Sequence, residues 1–284
     1  MKLAVLSGKG GTGKTLVSVN LAAVAKNSVY VDCDVEEPNG HLFFKPTEIE
    51  TETVAIKIPV VDEDLCLGCR KCVDFCKFNA LAAIVNKLLV FDDICHSCGG
   101  CIMLCPSNAL TEKDKVIGEI KTGISEEVKV ISGILNTGEV SGIPIIKELL
   151  KKTAAEKRLT LIDCPPGSAC IVMESIRDAD YCILVAEPTI FGRHNLALVY
   201  ELVKLFNKPH GVVINKCMPG ENLIETFCIE NKINVLSKIP FESELGAINS
   251  DGEIAVKSEK YYGLFSELLQ AVVKEVEHET VTHS

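Results

Sequence analysis

The chain has 284 residues, of which 47% are hydrophobic, 24% charged and 5% aromatic, and its formal net charge is −10 at pH 7. That mixture suits one large or two smaller globular domains with an α/β core, and the lack of a basic excess argues against binding to nucleic-acid phosphates. No run approaches the ~18 apolar residues of a membrane span, and Met1-Lys2-Leu3 lacks the layout of a signal peptide, so a cytoplasmic protein with no nucleic-acid or stable membrane partner is expected.

Lys2–Ser7 reads as a strand and Lys14–Lys26 as a helix. Between them Gly8-Lys9-Gly10-Gly11-Thr12-Gly13-Lys14-Thr15 fits the spacing G-x-x-x-x-G-K-[ST]. Glycines let such a loop curl its N–H groups around phosphate oxygens at a helix N-terminus, where anions are favoured. Lys14 is then expected on the β- and γ-phosphates of ATP, with the Thr15 hydroxyl on Mg²⁺. Ser28–Asp32 reads as a second strand, ending in Asp32-Cys33-Asp34.

The next segment breaks the rhythm. Eight of the 14 cysteines lie between Cys66 and Cys105, and in a reducing compartment clustered thiols imply metal rather than disulfides. Cys66, Cys69, Cys72 and Cys76 recur 29 residues later as Cys95, Cys98, Cys101 and Cys105, and each half runs on into Asn-Ala-Leu, at Asn79 and Asn108. A duplicated, pseudo-twofold unit this small needs a staple such as metal. The spacing C-x2-C-x2-C-x3-C is that of iron–sulfur loops, while C-x2-C also serves zinc, which seldom takes four cysteines at this spacing twice over. The segment resembles bacterial two-cluster ferredoxins. That resemblance implies two 4Fe–4S clusters with crossed ligands: Cys66, Cys69, Cys72 and Cys105 on one, Cys95, Cys98, Cys101 and Cys76 on the other. It departs from the pattern at Lys77, where Pro is usual; Pro106 keeps it in the second half.

Beyond the cysteines, strand-like runs at Val128–Ile131, Leu159–Asp163, Tyr181–Ala186, Gly211–Asn215 and Val235–Ile239 alternate with helical patterns at Ile143–Lys157, Cys170–Arg177, His194–Phe206, Asn222–Asn231 and Glu259–Val276. Apolar strands alternating with helices predict a mainly parallel sheet covered on both faces. The expected layout is a discontinuous ATPase domain, 1–57 and 112–284, with a small α+β ferredoxin-like domain inserted at 58–111.

Lys9, an extra lysine early in the P-loop, makes the chain similar to the MinD/ParA superfamily, which includes the nitrogenase iron protein. Asp163-Cys164-Pro165-Pro166-Gly167 and Asn215-Lys216 match that family's later motifs in order. The resemblance implies a homodimer closing on ATP, with Lys9 reaching the partner's phosphates and Asp34 orienting the attacking water. It also implies Asp163 held to Mg²⁺ through water, Asn215 recognising adenine, and Pro240 and Glu242 bordering the base. Catalysis thus falls to Lys9, Lys14 and Asp34, with Gly8, Gly10, Gly11, Thr12 and Gly13 around the phosphates. Cys170 follows the Asp163 motif where the iron protein has a cluster ligand, but the second such cysteine has no match between Thr111 and Glu156. The expected role is ATP-coupled electron transfer to a partner metalloprotein. A carrier of clusters or metal is the alternative, and a redox-sensing positioning ATPase a third, disfavoured by the acidic Glu275-Val276-Glu277-His278-Glu279 near the C-terminus.

Overall fold

A computed structural model describes residues 1–85, 87–220 and 222–282. The chain opens with β1 (Lys2–Leu6), the P-loop, α1 (Lys14–Ala25) and β2 (Val29–Asp32), followed by α2 (Gly40–Phe44) and a 15-residue strand, β3 (Thr47–Val61). The cysteine segment holds α3 (Lys71–Phe75), β4 (Leu81–Ile84), β5 (Lys87–Val90) and α4 (Gly100–Met103). The chain returns through β6 (Leu110–Ser125) and β7 (Val128–Leu135). It then alternates through α5 (Ile143–Lys152), β8 (Thr160–Asp163), α6 (Cys170–Ser175), β9 (Tyr181–Ala186), α7 (Ile190–Leu205), β10 (His210–Cys217), α8 (Leu223–Asn231) and β11 (Val235–Pro240), ending with α9 (Ser243–Ser250) and α10 (Glu259–Thr282).

Nine strands form one sheet in the order β11-β10-β9-β1-β8-β2-β7-β6-β3. The seven from β11 to β7 run parallel; β6 is antiparallel to both neighbours. Fully buried strands such as Tyr181–Ala186 explain the continuous apolar runs of the sequence, since both faces are covered. α5, α6, α7 and α8 bury Ile145, Val172, Leu196 and Ile224 on one face; α1 and α10 bury Val17, Leu21, Tyr261 and Phe265 on the other. α7 starts at Ile190, a turn before the expected His194, because the Thr189 hydroxyl accepts the Gly192 N–H at 2.9 Å. Among the described residues no helix is long and apolar enough to cross a membrane.

The long β3–β6 pair is absent from the periodicity reading and changes how the cysteine segment is attached. Gly118 of β6 pairs with Leu135, the last residue of β7, so residues 110–117 run past the end of β7. There β6 pairs with β3 alone, from Val54 opposite Gly118 to Val61 opposite Leu110, a ribbon of roughly 25 Å. Because β7 is parallel to β2, the ribbon leaves the same carboxyl edge of the sheet that carries the P-loop and Asp34. Residues 62–109 occupy its tip. Ile58 and Thr111, the expected limits of the insertion, both sit within this ladder, so they fall on the ribbon itself. β3 is the outermost strand, and its exposed Glu48, Glu50 and Glu52 put charge along the free edge, which discourages further strand pairing.

The 29-residue repeat is structural as well as sequential. Left-handed backbone recurs at Gly68 and Ser97, Arg70 and Gly99, and Asn79 and Asn108. The Asp62 amide donates to the Ala109 carbonyl and the Phe91 amide to the Ala80 carbonyl, both at 2.8 Å. Adding 29 to 62 gives 91 and subtracting it from 109 gives 80, so the two bonds exchange under a twofold rotation of the halves. Cys72 and Cys101, and Leu81 and Leu110, are buried in equivalent places.

Candidate functional site

Gly11 and Gly13 take φ of 77° and 94°, values that side chains resist, and a Cβ on Gly13 would fall 2.0 Å from Asn215 Nδ2. The loop is braced from outside: Asn215 Nδ2 donates to the Thr12 carbonyl at 2.8 Å and Lys216 Nζ to that of Gly11 at 2.8 Å. Lys14 is buried and donates to Asp163 Oδ1 at 2.6 Å, with Asp34 Oδ2 4.0 Å away. Burial works to lower the Lys14 pKa, but Asp163, Asp32 and Asp34 outweigh it and the net shift is upward. Burial raises the Asp34 carboxyl to about 6, Lys14 opposing and Asp163 adding to the shift.

These groups open on a cavity of about 490 Å³ lined by Gly10, Lys14, Thr15, Asp34, Asn215, Pro240 and Glu242, among others. Gly10, Gly11, Gly13, Lys14, Thr15, Asp34 and Asn215 thus meet at one cavity, with Asp163 joined to it through Lys14, whereas Gly8, Lys9 and Thr12 do not line it and Lys9 turns to Glu187. Glu242 reaches the rim while also ion-paired with Lys260 at 2.5 Å, and Phe241 lies beside it.

Three residues beyond the expected site residues shape this place, and of them only Asp32 belongs to a sequence motif, Asp32-Cys33-Asp34. Tyr30 donates its hydroxyl to Asp163 Oδ2 at 2.8 Å, holding the carboxylate that Lys14 shares. Asp32 accepts the Asn39 and Gly40 amides at 3.1 and 2.9 Å, so it shapes the turn after β2 rather than facing the cavity. Glu187, after β9, binds Lys9 at 3.1 Å and Lys216 at 2.6 Å. Burial would raise its carboxyl, but hydrogen bonds from Lys216 and Lys9 prevail and lower it. Only the tertiary fold joins these positions; a lone Glu187-Pro188 after a strand announces nothing.

At the ribbon tip two separate cavities collect the cysteines. One, of about 250 Å³, is lined by Cys66, Cys69, Cys72 and Cys105. The other, about 20 Å³, is lined by Cys76, Cys95, Cys98 and Cys101. Among the described residues no three His, Cys, Asp or Glu side chains converge as the ligands of a metal ion would. Burial pushes Cys72 and Cys95 up and Cys101 to about 11. Cys105 is lowered: slight burial is outweighed by Ser107 and by the backbone amides of Ser107, Ala109 and Leu110. Cys170 is exposed at the start of α6, outside both cavities.

The sequence model of the CobQ/CobB/MinD/ParA nucleotide binding domain matches residues 3–256. An uncharacterised protein of Methanocaldococcus jannaschii is 34% identical over 253 residues, 86% of each chain. A second from that organism is 27% identical over 262 residues, 90% of this chain and 92% of its own. The fold is similar to that of the cell division ATPase MinD of Pyrococcus furiosus, at 19% identity and TM-score 0.59, covering 96% of this chain and 98% of that one. It is likewise similar to the Pyrococcus horikoshii septum site-determining protein MinD complexed with Mg-ADP, at 20% identity and TM-score 0.58, with 95% of each covered.

Proposed function

Because the chain belongs to the CobQ/CobB/MinD/ParA nucleotide-binding family, we propose that it is an ATPase whose dimer closes on Mg-ATP and governs electron transfer through two 4Fe–4S clusters in its own cysteine segment. Residues 1–57 and 112–284 form the ATPase domain in this reading, and 58–111 a ferredoxin-like insertion. The observation that carries it is the lining of the two cavities: each receives three cysteines of one repeat and the fourth of the other. That crossing is the ligand pattern of two-cluster ferredoxins. Clusters held there would supply one-electron storage at potentials set by charge, hydrogen bonding and exposure around the sulfurs.

On the nucleotide side, Lys14 is held by Asp163 and Lys9 by Glu187. Phosphate oxygens offer Lys14 a better partner, which frees Asp163 to hold the waters of Mg²⁺ beside the Thr15 hydroxyl. Asp34, 4.0 Å from Lys14 Nζ, orients a water at the γ-phosphate in this reading. Lys9, leaving Glu187, is the residue that reaches a partner subunit's phosphates. The dimer and a redox metalloprotein partner belong to this proposal.

A carrier of clusters is the second reading. The width of the Cys66 cavity and the exposure of Cys69 favour it, since a cluster that leaves needs an open path. Anaerobic purification tests both. Electron transfer requires about eight irons per chain that persist through ATP turnover, with hydrolysis lost in Lys14→Ala. Iron released to an apo-acceptor on turnover supports the carrier, and stoichiometric zinc without reconstitutable iron refutes both.

A further inference from the structure

The two cysteine sites face different surroundings. Cys76 and Cys95 pack against Ile56 and Ile58 of β3, and Lys57 and Pro59 line their cavity. Ser97 Oγ donates to the Lys57 carbonyl at 2.5 Å, and Lys115 of β6 bridges Asp93 at 3.2 Å to Glu139 at 3.1 Å. Glu139 follows β7, so this site is tied to the ATPase side of the ribbon. Rings lie over part of it, Phe78 and His96 stacking with centroids 3.8 Å apart and the Phe75 ring lying over Gly100, while Cys98 stays exposed.

The Cys66 site is the outer one. Apart from Leu110, the first residue of β6 at the end of the ribbon, every residue lining its cavity lies in the cysteine segment, and none is on β3. Its charged lining is wholly cationic: Arg70, Lys71 and Lys87. Lys87 is paired with Glu63 at 3.1 Å, whereas neither Arg70 nor Lys71 has an ion pair among the described residues. Leu67 and Val85, 72% and 90% exposed, add apolar surface to the same rim. In a chain of net charge −10 such a rim runs against the background.

We propose that the Cys66 site is the port through which electrons are exchanged with an electron-transfer protein presenting an apolar centre ringed by carboxylates. The Cys95 site is the inner station on the ATPase side. The inference rests on the cluster reading above. Charge complementarity selects the partner: the cationic rim steers an acidic face, and the exposed Leu67 and Val85 give it something apolar to cover.

Small redox ions of opposite sign test the port. Ferricyanide accepts one electron from a reduced cluster to become ferrocyanide, and hexaamminecobalt(III) accepts one to become cobalt(II). Both are mixed with dithionite-reduced, iron-loaded protein in stopped flow, with salt varied. Attraction at the rim makes the ferricyanide rate fall as salt rises; repulsion by the net charge of −10 would make it rise. Arg70→Glu/Lys71→Glu should slow ferricyanide about tenfold or more at low salt and quicken hexaamminecobalt, whereas Lys57→Glu beside the inner site changes each rate less than about threefold. Chromium(III) tris-oxalate, a paramagnetic anion, should shorten cluster spin relaxation in the native protein and less so in the double variant. Wild-type salt dependence needs no variant, so misfolding of the double variant leaves the test intact. A ferricyanide rate that rises with salt in iron-loaded protein overturns the port alone, as does greater sensitivity to Lys57→Glu. Protein that cannot be loaded with iron overturns the cluster reading and the port with it.

Discussion

Replacing Glu187 by Gln should tighten the ATP-bound dimer. The Glu187 carboxylate holds Lys9 at 3.1 Å and Lys216 at 2.6 Å, with side-chain exposures of 11% for Glu187 and 40% for Lys9. Lys9 must leave that carboxylate to act across a subunit boundary. Gln keeps the volume and an acceptor oxygen for Lys216 but removes the charge. A partly exposed ion pair is worth ~0.2–1 kcal/mol after screening. A twofold dimer breaks two of them, so the released restraint is ~0.4–2 kcal/mol, or roughly 2- to 30-fold in dimer Kd at 1.4 kcal/mol per tenfold. Sedimentation velocity over a concentration series, with Mg²⁺ and a non-hydrolysable ATP analogue, reads this directly. The difference from wild type should shrink at high salt, as screening weakens the contact being removed. A Kd that is unchanged or weaker in Glu187→Gln would mean that Glu187 does not restrain Lys9, or that the dimer itself needs the carboxylate. Either result refutes the reasoning.

Three further outcomes are expected. Lys9→Ala should bind ATP with near-native affinity by calorimetry yet neither dimerise nor turn over; normal ATPase activity would remove its role in trans. Gly13→Ala should abolish nucleotide binding, since its Cβ meets Asn215 Nδ2 at 2.0 Å and φ of 94° adds ~1–2 kcal/mol of backbone strain. Native affinity in that variant would show that the loop relaxes freely. Asp34→Asn should stabilise the nucleotide-free chain at pH 7.5. An acid raised on folding from its ordinary 3.8 to about 6 costs stability once ionised; the cost is absent below the ordinary value and grows until pH passes about 6. Discounted for solvent screening, the gain is on the order of 1 kcal/mol at pH 7.5 and shrinks at pH 5. Equal shifts of the denaturation midpoint at both pH values would contradict it.

Local chemistry is what a linear chain displays, and this sequence displays much of it. A phosphate loop is eight consecutive residues whose glycine and lysine spacing is itself the signal, so Gly8–Thr15 is legible without the fold. The parallel sheet is legible because strands covered on both faces leave unbroken apolar runs. The cysteine repeat is legible because a spacing of two or three residues is itself the geometry of a ligand loop. The ribbon leaves no such mark although Thr47–Thr53 alternates Glu with Thr or Ile: an edge strand has one dry face at most and reads as polar loop. The short α2 and α9 likewise lack the length for a period to show.

What the sequence determined alone was therefore each site's inventory: the P-loop, Asp34, Asp163, Asn215 and two sets of four thiols. Tertiary structure decided the partnerships. Tyr30 on Asp163, Glu187 on Lys9 and Cys105 beside Cys66 join residues 133, 178 and 39 positions apart. No local propensity encodes such separations. Strand order and the pseudo-twofold bring them together, because pairing sets the ends of sequence-distant strands side by side and the folded-back repeat sets Cys105 by the first three cysteines. The same packing sets the ribbon on the carboxyl edge beside the nucleotide loops, where β6 outruns β7, and so puts the outer cysteine site farthest from the sheet.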